Sequence, residues 1–509
     1  MTTAQPMLSS AGFDAPGNLA AQLADLAARR GWMDRPAFHQ GHRAWTHGEV
    51  HALAARAATV LAGHGTGPGD RVVLALPDGI AWVTAFLAVA RLGAVAVLVN
   101  PELPAADHAF MATDADAALC VTGPGLEGRF AGRARLGADQ LLALTASAEP
   151  APAHPVDAHT SLYVQYTSGT TGRPKGVVHT HGDPKAYHDL IGRRLLRVGQ
   201  DDVTLSVSKL YFAYGFGNSF VFPLFSGSSA VLVDRRPTPA AVDELVARHR
   251  VTLLYSVPSA YAALVADRGS SGHEACFASV RAAVSAGEGL PEGLVGQVTE
   301  LLGAPVLEQI GSTEAGHAFC ANSFGHNRPG TVGRPVPGFE VELRDRAGHP
   351  VPDGTEGELW VRGPTVTPGY LNRPEETERT LVGGWLATRD RAVREADGTY
   401  RHLGRADDME MVGGITVSPL EVEAVLRTHP AVKEVAVVAV TDGRGVGRLR
   451  AFVVPVAPVP DGSLQEDLLG LARERLAAFK VPRSVSLVPS LPRTPTGKLR
   501  RHLVRRGAW

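Results

Sequence analysis

The chain has 509 residues, 44% of them hydrophobic and 20% charged, with a formal net charge of −1. That length exceeds one ordinary domain and suits about three compact units, while nothing in the balanced charge points to nucleic acid or to an acidic membrane surface. Cys120, Cys276 and Cys320 are the only cysteines, too far apart for metal-ligand pairs or a disulfide framework, as expected in a reducing cytoplasm.

Met1 to Ser10 has no basic region followed by an apolar core, so no secretory signal is visible and a cytoplasmic location is expected. From about Asn18 to Pro150 helical and strand-like segments alternate. Val50 to Leu61 has helical spacing, Val72 to Leu76 is a short apolar strand, and Ile80 to Val99 is a long apolar run. Arg91 and a Leu92-Gly93 break interrupt that run, so it reads as a buried helix followed by a strand (Ala94 to Val99), and no membrane association is expected. The Ala- and Pro-rich Thr145 to Pro155 is a connector. Strand-like Val203 to Val207, Ala230 to Val233 and Leu253 to Tyr255 then alternate with helical Ala240 to Arg250 and Ser259 to Asp267. This rhythm predicts parallel sheets with helices on both faces.

Near Pro335 the pattern changes to short strands, Glu340 to Arg344, Glu358 to Arg362 and Tyr400 to Leu403, divided by Gly, Pro and Asp turns. Beyond 404–408, helix Pro419 to Leu426, strands Val432 to Val440 and Leu449 to Val456, and helix Leu464 to Leu476 form another unit of ordinary domain size. The expected fold is therefore α/β. A large N-terminal domain of parallel-sheet α/β subdomains (1–404) carries a small β-rich subdomain at about 335–403. A hinge (405–407) and a small, mobile α+β C-terminal domain (408–509) follow.

The stretch Tyr166-Thr167-Ser168-Gly169-Thr170-Thr171-Gly172-Arg173-Pro174-Lys175-Gly176 follows a β-like run. Its glycines let backbone N–H groups turn towards an anion, its hydroxyls add donors and Lys175 adds charge. By composition alone this is equally a surface loop, and it does not match the usual P-loop spacing. The chain has six lysines, at 175, 185, 209, 433, 480 and 498, among 50 basic residues. Where arginine carries most of the positive charge, a lysine suits a point contact to an oxyanion.

Four further constellations carry chemistry. Glu308-Gln309-Ile310-Gly311-Ser312-Thr313-Glu314 places Thr313 and Glu314 where a strand should end, the usual ligand edge of an open α/β sheet. A carboxylate beside a polyphosphate suits Mg²⁺, and Ser-Thr-Glu alone is equally a helix cap. Thr388-Arg389-Asp390 supplies a carboxylate able to accept two ribose hydroxyls, or a turn aspartate. Arg405 can reach nucleotide oxygens, and Gly413-Gly414 leaves room for a thin chain beside the backbone. Arg493-Thr494-Pro495-Thr496-Gly497-Lys498 is a turn that presents a lysine.

Together and in this order, these motifs resemble those of the adenylate-forming superfamily, which includes acyl- and aryl-CoA ligases, adenylation domains of peptide synthetases and luciferases. The resemblance covers essentially the whole chain. It implies ATP-phosphate contacts for Thr167, Ser168, Gly169, Thr170, Thr171, Gly172 and Lys175, with Gly287 and Glu288 under the adenine. Glu308 and Gln309 then lie on the adenine side, Ile310, Gly311 and Ser312 complete the nucleotide motif, and Asp390 and Arg405 serve the ribose and nucleotide. It further implies that Thr313 meets phosphate and acyl oxygens, Glu314 binds Mg²⁺, and Lys498 bridges carboxylate and α-phosphate. Asp407 becomes the hinge, and Gly413 and Gly414 the pantetheine tunnel. Where the family commonly has Lys and Ser in that glycine loop, this chain has Met411 and Gly413, which removes charge there.

Ser208 to Asn218 sets four aromatics within six residues among small ones, a flat apolar slot or simply core packing. Glycines alternating with aromatics are unusual inside a core helix. The segment is similar to its counterpart in benzoate-CoA ligases. That resemblance implies that Ala213, Tyr214 and Gly215 line the ring, with Ser285 and His317 near the acid and Ala315 and Gly316 widening the pocket. The implied activity is ATP-dependent formation of aryl-AMP from a benzoate-type acid and transfer to CoA, with Arg444, Arg448 and Arg450 as candidates for the CoA phosphates. Loading of carrier-protein phosphopantetheine is an alternative acceptor. A non-catalytic nucleotide-binding protein is an alternative of another class, with no need of Lys498. The oligomeric state is expected to be monomer or homodimer.

Overall fold

Strand–helix alternation over the first two-thirds of the chain builds two mostly parallel sheets. The computed structural model describes residues 17–167, 174–267, 276–287, 289–405, 410–412, 415–441, 447–457, 462–476, 478–493 and 499–507. One six-stranded sheet runs, in spatial order, Ala134–Gly137, Leu119–Thr122, Arg71–Ala75, Val95–Leu98, Ser161–Thr167 and Lys175–Thr180. Its first five strands are parallel, and the last is the antiparallel hairpin partner of the fifth. In the nine-stranded sheet, Val306–Gly311, Ala282–Ser285, Leu253–Ser256, Val203–Ser206, Ser229–Val231 and Pro36–Gln40 form a parallel centre with antiparallel strands at both edges. Continuously apolar strands such as Val95–Leu98 are buried along their whole length because helices cover both faces.

The apolar run from Ile80 divides where the sequence breaks. Helix Ile80–Arg91 ends before Gly93, whose φ of 67° turns the chain into strand Val95–Leu98. No helix among the described residues is long and apolar enough to cross a membrane. Trp82 and Phe86 stack at 5.2 Å on this helix and meet Phe216 and Phe220 from the aromatic segment, while Tyr163 packs 6.3 Å from Phe86. All five rings are fully buried. At about 2–3 kcal/mol for each buried large side chain, this cluster fastens the aromatic segment to the first sheet and fixes where its polar neighbours lie.

Residues from Glu340 onward form an antiparallel five-stranded sheet of Glu340–Arg344, Glu356–Arg362, Leu381–Val382, Trp385–Arg394 and Tyr400–Arg405. Farther on, Val432–Thr441, Gly447–Pro455 and Ser484–Leu487 make a three-stranded sheet with helices Pro419–Arg427 and Ser463–Arg475. Its core of Val422, Leu426, Val437, Val453 and Leu468 contains an ion pair, Glu423 with Arg501, at 2.5 Å. The large N-terminal and smaller C-terminal portions of a mixed α/β chain are thus present.

Candidate functional site

Parallel strands Val203–Ser206, Leu253–Ser256, Ala282–Ser285 and Val306–Gly311 end on the same side of their sheet. Register pairs Tyr255 with Ser206, Ser256 with Ser285 and Ser285 with Glu308. The carboxyl edge of such a sheet is where loops diverge and leave room for a ligand. Ser285 Oγ and both ends of the Gln309 side-chain amide are buried there, without hydrogen-bond partners among the described residues. Buried polar atoms are ordinarily hydrogen-bonded, which makes this edge a candidate ligand position. Gly287 follows at φ 94°, and Ile310 is buried within the last strand. Glu308 Oε2 accepts from Gly330 N at 3.0 Å, and burial pushes its carboxyl up to about 7.

Past Gly311 the chain turns sharply. Ser312 Oγ accepts from Ala315 N, and Thr313 presents its carbonyl to His179 Nε2 at 2.7 Å. His179 Nδ1 contacts Asp183 at 2.8 Å, and Asp183 also receives Thr180 N and Oγ1. Thr367 N donates to the Glu314 carbonyl at 2.7 Å while Thr367 Oγ1 donates to Val178 O. The Thr313–Glu314 turn is thereby tied to strand Lys175–Thr180. Gly316, at φ 76°, reverses the chain behind it, so its small size serves the backbone, and Ala315 is packed with its carbonyl accepting from Thr365 Oγ1.

The phosphate-loop motif joins the two strands of a hairpin whose final register pair is Thr167 with Lys175. Lys175 Nζ pairs with Glu376 Oε1 at 2.9 Å and lies 5.3 Å from the Tyr370 ring centre. The Tyr370 hydroxyl donates to Glu314 Oε1 at 2.9 Å. Beside these residues a cleft of about 590 Å³ is bordered by Pro174, Lys175, Arg373, Glu376 and Arg379. Lys175, Tyr370 and Glu314 thus form a chain of contacts across residues almost 200 apart in sequence.

The aromatic segment is one helical run: Ala213–Phe216, a π-turn at Gly217–Val221, then Phe222–Ser226. This differs from the expectation that its glycines disfavour a core helix. Tight approach explains it, since a Cβ on Gly217 would run into the imidazole of His317, and one on Gly215 into the Lys209 carbonyl. Ala213 begins the run half-buried. The Tyr214 hydroxyl donates to Val284 O at 2.9 Å, fixing its ring 5.8 Å from that of His317. His317 is itself buried, against Phe222 and Tyr187, and holds Asn218 Oδ1 at 3.2 Å through Nε2. Lys209 takes no oxyanion role in this arrangement. Its ammonium is buried and donates to the Val233 and Arg235 carbonyls, while burial lifts nearby Asp78 to about 7.

Asp390 is buried on strand Trp385–Arg394, its Oδ1 3.1 Å from His402 Nε2, and faces Arg405 in register. The Arg405 guanidinium reaches the Thr388 carbonyl at 3.4 Å. Arg450 donates to Ser486 Oγ, and Arg448 is exposed. Ser168, Gly169, Thr170, Thr171, Gly172, Glu288, Asp407, Gly413, Gly414, Arg444 and Lys498 lie outside the described residues.

Sequence reasoning missed Tyr370, Glu376, His179, Asp183, Asn218 and Tyr187. His179 and Asp183 carry a faint local signal, four residues apart just past the phosphate loop. Tyr370 and Glu376 carry none towards Glu314 and Lys175, which lie in a turn and a strand far away in sequence.

Two family matches span the chain: AMP-binding enzyme over residues 25–371 and AMP-binding enzyme C-terminal domain over 421–498. A p-hydroxybenzoic acid–AMP ligase, FadD22, of Mycobacterium tuberculosis is 42% identical over 492 residues, covering 96% of this chain and 69% of that protein. The benzoate–CoA ligase of Thauera aromatica is 38% identical, covering 87% of this chain and 86% of its own. Among solved structures, a benzoate CoA ligase from Burkholderia xenovorans superposes with a TM-score of 0.89 at 36% identity, covering 96% of this chain and 99% of that one. The anthranilate CoA ligase AuaEII, in complex with anthranoyl-AMP, gives 0.90 at 31% identity, covering 96% and 98%.

Proposed function

The chain belongs to the AMP-binding enzyme family, and from that premise we propose that it is an ATP-dependent aryl-acid ligase that activates a benzoate-type carboxylic acid as aryl-AMP and passes the aryl group to the thiol of CoA. One observation carries the reading. The aromatic slot of Tyr214 and His317 and the phosphate-loop hairpin meet through one turn, Gly311 to His317.

In the first half-reaction the acid's carboxylate oxygen attacks the α-phosphorus of ATP, the bond to the bridging oxygen breaks, and pyrophosphate leaves. Thr167 and Lys175 at the ends of the hairpin, with Ser168 to Gly172 between them, hold the β- and γ-phosphates so that pyrophosphate departs in line. Thr313 meets the α-phosphate and acyl oxygens. Lys498 neutralises the two anions that must approach each other, which is electrostatic stabilisation of the kind that dominates phosphoryl transfer. Ser285, Gly287, Glu288, Gln309, Ile310, Gly311 and Ser312 border the adenine and the acid, and Asp390 and Arg405 the ribose. Glu308 supports the adenine side through its bond to Gly330 N.

Glu314 fits a Mg²⁺ ligand. No group of three His, Cys, Asp or Glu side chains among the described residues could hold a metal alone, and an ion shared between one carboxylate and phosphate oxygens is the habit of Mg²⁺. Bound there, it would neutralise charge on the triphosphate.

In the second half-reaction the thiol attacks the acyl carbon and AMP leaves. Rotation of the small domain about Asp407 withdraws Lys498 and brings Gly413 and Gly414 over the site, so one domain serves two steps in turn. A second acceptor, presenting the same thiol without the CoA nucleotide, is the phosphopantetheine of a carrier protein. Incubation with ATP, Mg²⁺ and benzoate, with either CoA or a phosphopantetheinylated carrier protein, followed by product mass, tests both. The CoA thioester is the expected product. Thioester on the carrier alone would transfer the reading to that acceptor, and absence of any aryl adenylate or thioester would refute the ligase.

A further inference from the structure

We infer that His179 and Asp183 are positioning residues for adenylation: a buried ion pair that holds the Thr313 carbonyl and so keeps Thr313 aimed at the reacting oxygens. The inference rests on the aryl-acid ligase reading, in which Thr313 meets the α-phosphate and acyl oxygens, and adds to it what keeps Thr313 in place.

The hydrogen bonds fix where the protons lie. Nε2 of His179 is 2.7 Å from the Thr313 carbonyl, which only accepts, so Nε2 carries a proton. Nδ1 is 2.8 Å from Asp183 Oδ2, and that oxygen also takes the Thr180 N–H at 3.1 Å, so it too is an acceptor. Both ring nitrogens therefore donate, and the pair is an imidazolium held by a carboxylate. Asp183 Oδ1 completes the set by accepting from Thr180 Oγ1 at 2.9 Å. The His179 side chain is fully buried and that of Asp183 is 9% exposed. A buried pair with every polar atom satisfied is held to one geometry. The imidazole also stacks on Tyr163, ring centres 4.9 Å apart, and a Cβ on Gly316 would stand 3.4 Å from His179 Cε1. Strand Ser161–Thr167, helix Asp183–Tyr187 and the turn thus confine the ring from three sides.

A trans peptide is planar, with its carbonyl and the following N–H on opposite sides, and no peptide among the described residues is cis. Fixing the Thr313 carbonyl on His179 therefore fixes the whole Thr313–Glu314 plane, and with it the direction in which the Thr313 side chain leaves the backbone. Gly316 N donates to the same carbonyl at 3.0 Å, but that bond lies inside the turn and moves with it. His179 belongs to strand Lys175–Thr180, so its bond sets the turn against the phosphate-loop hairpin. Glu314 has ties of its own, from Tyr370 to its carboxylate and from Thr367 N to its carbonyl. Loss of the ion pair should therefore fall on Thr313 and the chemical step, and spare the groups proposed to bind the triphosphate.

Asp183→Asn is the discriminating variant. Its amide oxygen stays with the Thr180 N–H, so Nδ1 keeps its proton, the ring becomes neutral, and Nε2 turns a lone pair on the Thr313 carbonyl. Shape is conserved while the bond to Thr313 becomes a repulsion. In acid-dependent ATP–pyrophosphate exchange with benzoate, kcat is expected to fall about tenfold or more, with KM for ATP and for benzoate within about threefold of wild type. The double variant His179→Leu/Asp183→Asn leaves no unpaired charge in the interior. It should lose the same factor and no more, since the carboxylate acts only through the ring. An unchanged kcat in Asp183→Asn overturns the inference, as does a loss confined to KM, or a double variant far below the single one. A measurement on the unmutated protein is independent of any folding defect: with ¹⁵N-labelled histidine, one ring shielded from solvent should carry protons on both nitrogens in the assay buffer. An unprotonated nitrogen in every shielded ring overturns the inference whatever the variants do. An unmutated protein that exchanges pyrophosphate with no benzoate-type acid would instead overturn the ligase reading beneath it.

Discussion

The hydroxyl of Tyr370 donates to Glu314 Oε1 at 2.9 Å while the face of its ring lies 5.3 Å from the Lys175 ammonium. One side chain therefore orients both the carboxylate proposed to hold Mg²⁺ and the lysine proposed to meet the phosphates. Partners that orient a metal's carboxylate commonly affect affinity by ten- to a hundredfold. Tyr370→Phe keeps the ring beside Lys175 and removes only the hydrogen bond. The expected result is roughly a tenfold rise in the Mg²⁺ concentration needed for half-maximal nucleotide binding, read by fluorescence titration, with the fold intact. An unaltered Mg²⁺ dependence would show that Glu314 is oriented without Tyr370.

Gly217 sits where the π-turn presses against His317. Gly217→Ala inserts a methyl group into the imidazole, and such overpacking costs roughly 1–3 kcal/mol. The expected outcome is a lower melting temperature together with at least a tenfold rise in KM for the aromatic acid and little change in KM for ATP. If the acid and ATP terms worsen equally, His317 is not part of the acid pocket.

His47 is buried, its Nε2 bonded to Ser228 O at 3.2 Å and its Nδ1 without a partner among the described residues. Burial depresses its pKa to about 4 from the ordinary 6.5. The unfolded chain therefore binds a proton that the folded chain refuses, so this contribution is fully present above pH 6.5 and is lost as pH falls towards 4. At pH 5 the loss amounts to about 2 kcal/mol relative to pH 8. Denaturant midpoints for wild type and His47→Gln at pH 8 and pH 5 measure it, and the variant should show a smaller decline. Parallel declines would place the acid sensitivity elsewhere.

Lys498→Ala should abolish acid-dependent pyrophosphate exchange by about a thousandfold or more, an electrostatic contact at the reacting centre. It should nevertheless transfer a preformed aryl-adenylate to thiol at a rate within a few-fold of wild type. Equal loss in both half-reactions would remove the division of labour proposed for the small domain.

Much of the architecture was legible without coordinates, because burial on both faces imposes a continuous apolar strand pattern and a 3.6-residue helix pattern locally. The Ile80 run, the change of style at Pro335 and the helix beginning at Pro419 all appear where those periods predict them. The aromatic segment departs from its local propensity in one respect. Helix propensity is a property of the isolated chain, whereas Gly217 answers to His317 from a distant turn and Gly215 to the carbonyl of Lys209 in the preceding loop.

The same division runs through the site. Motifs carried by consecutive residues, from Thr167 to Gly176 and from Glu308 to Glu314, are readable because backbone geometry and side-chain chemistry coincide within one short stretch. They establish family membership and the use of a nucleotide. Which tautomer His317 adopts, what Tyr370 joins and why Lys209 is spent on two carbonyls depend on contacts between residues tens to hundreds of positions apart. A hydrogen bond at 3 Å is set by how sheets and helices pack, and no local period encodes that distance. The order of residues carries the nucleotide motifs, whereas the packed interior alone decides how His317, Tyr370 and Lys209 are held.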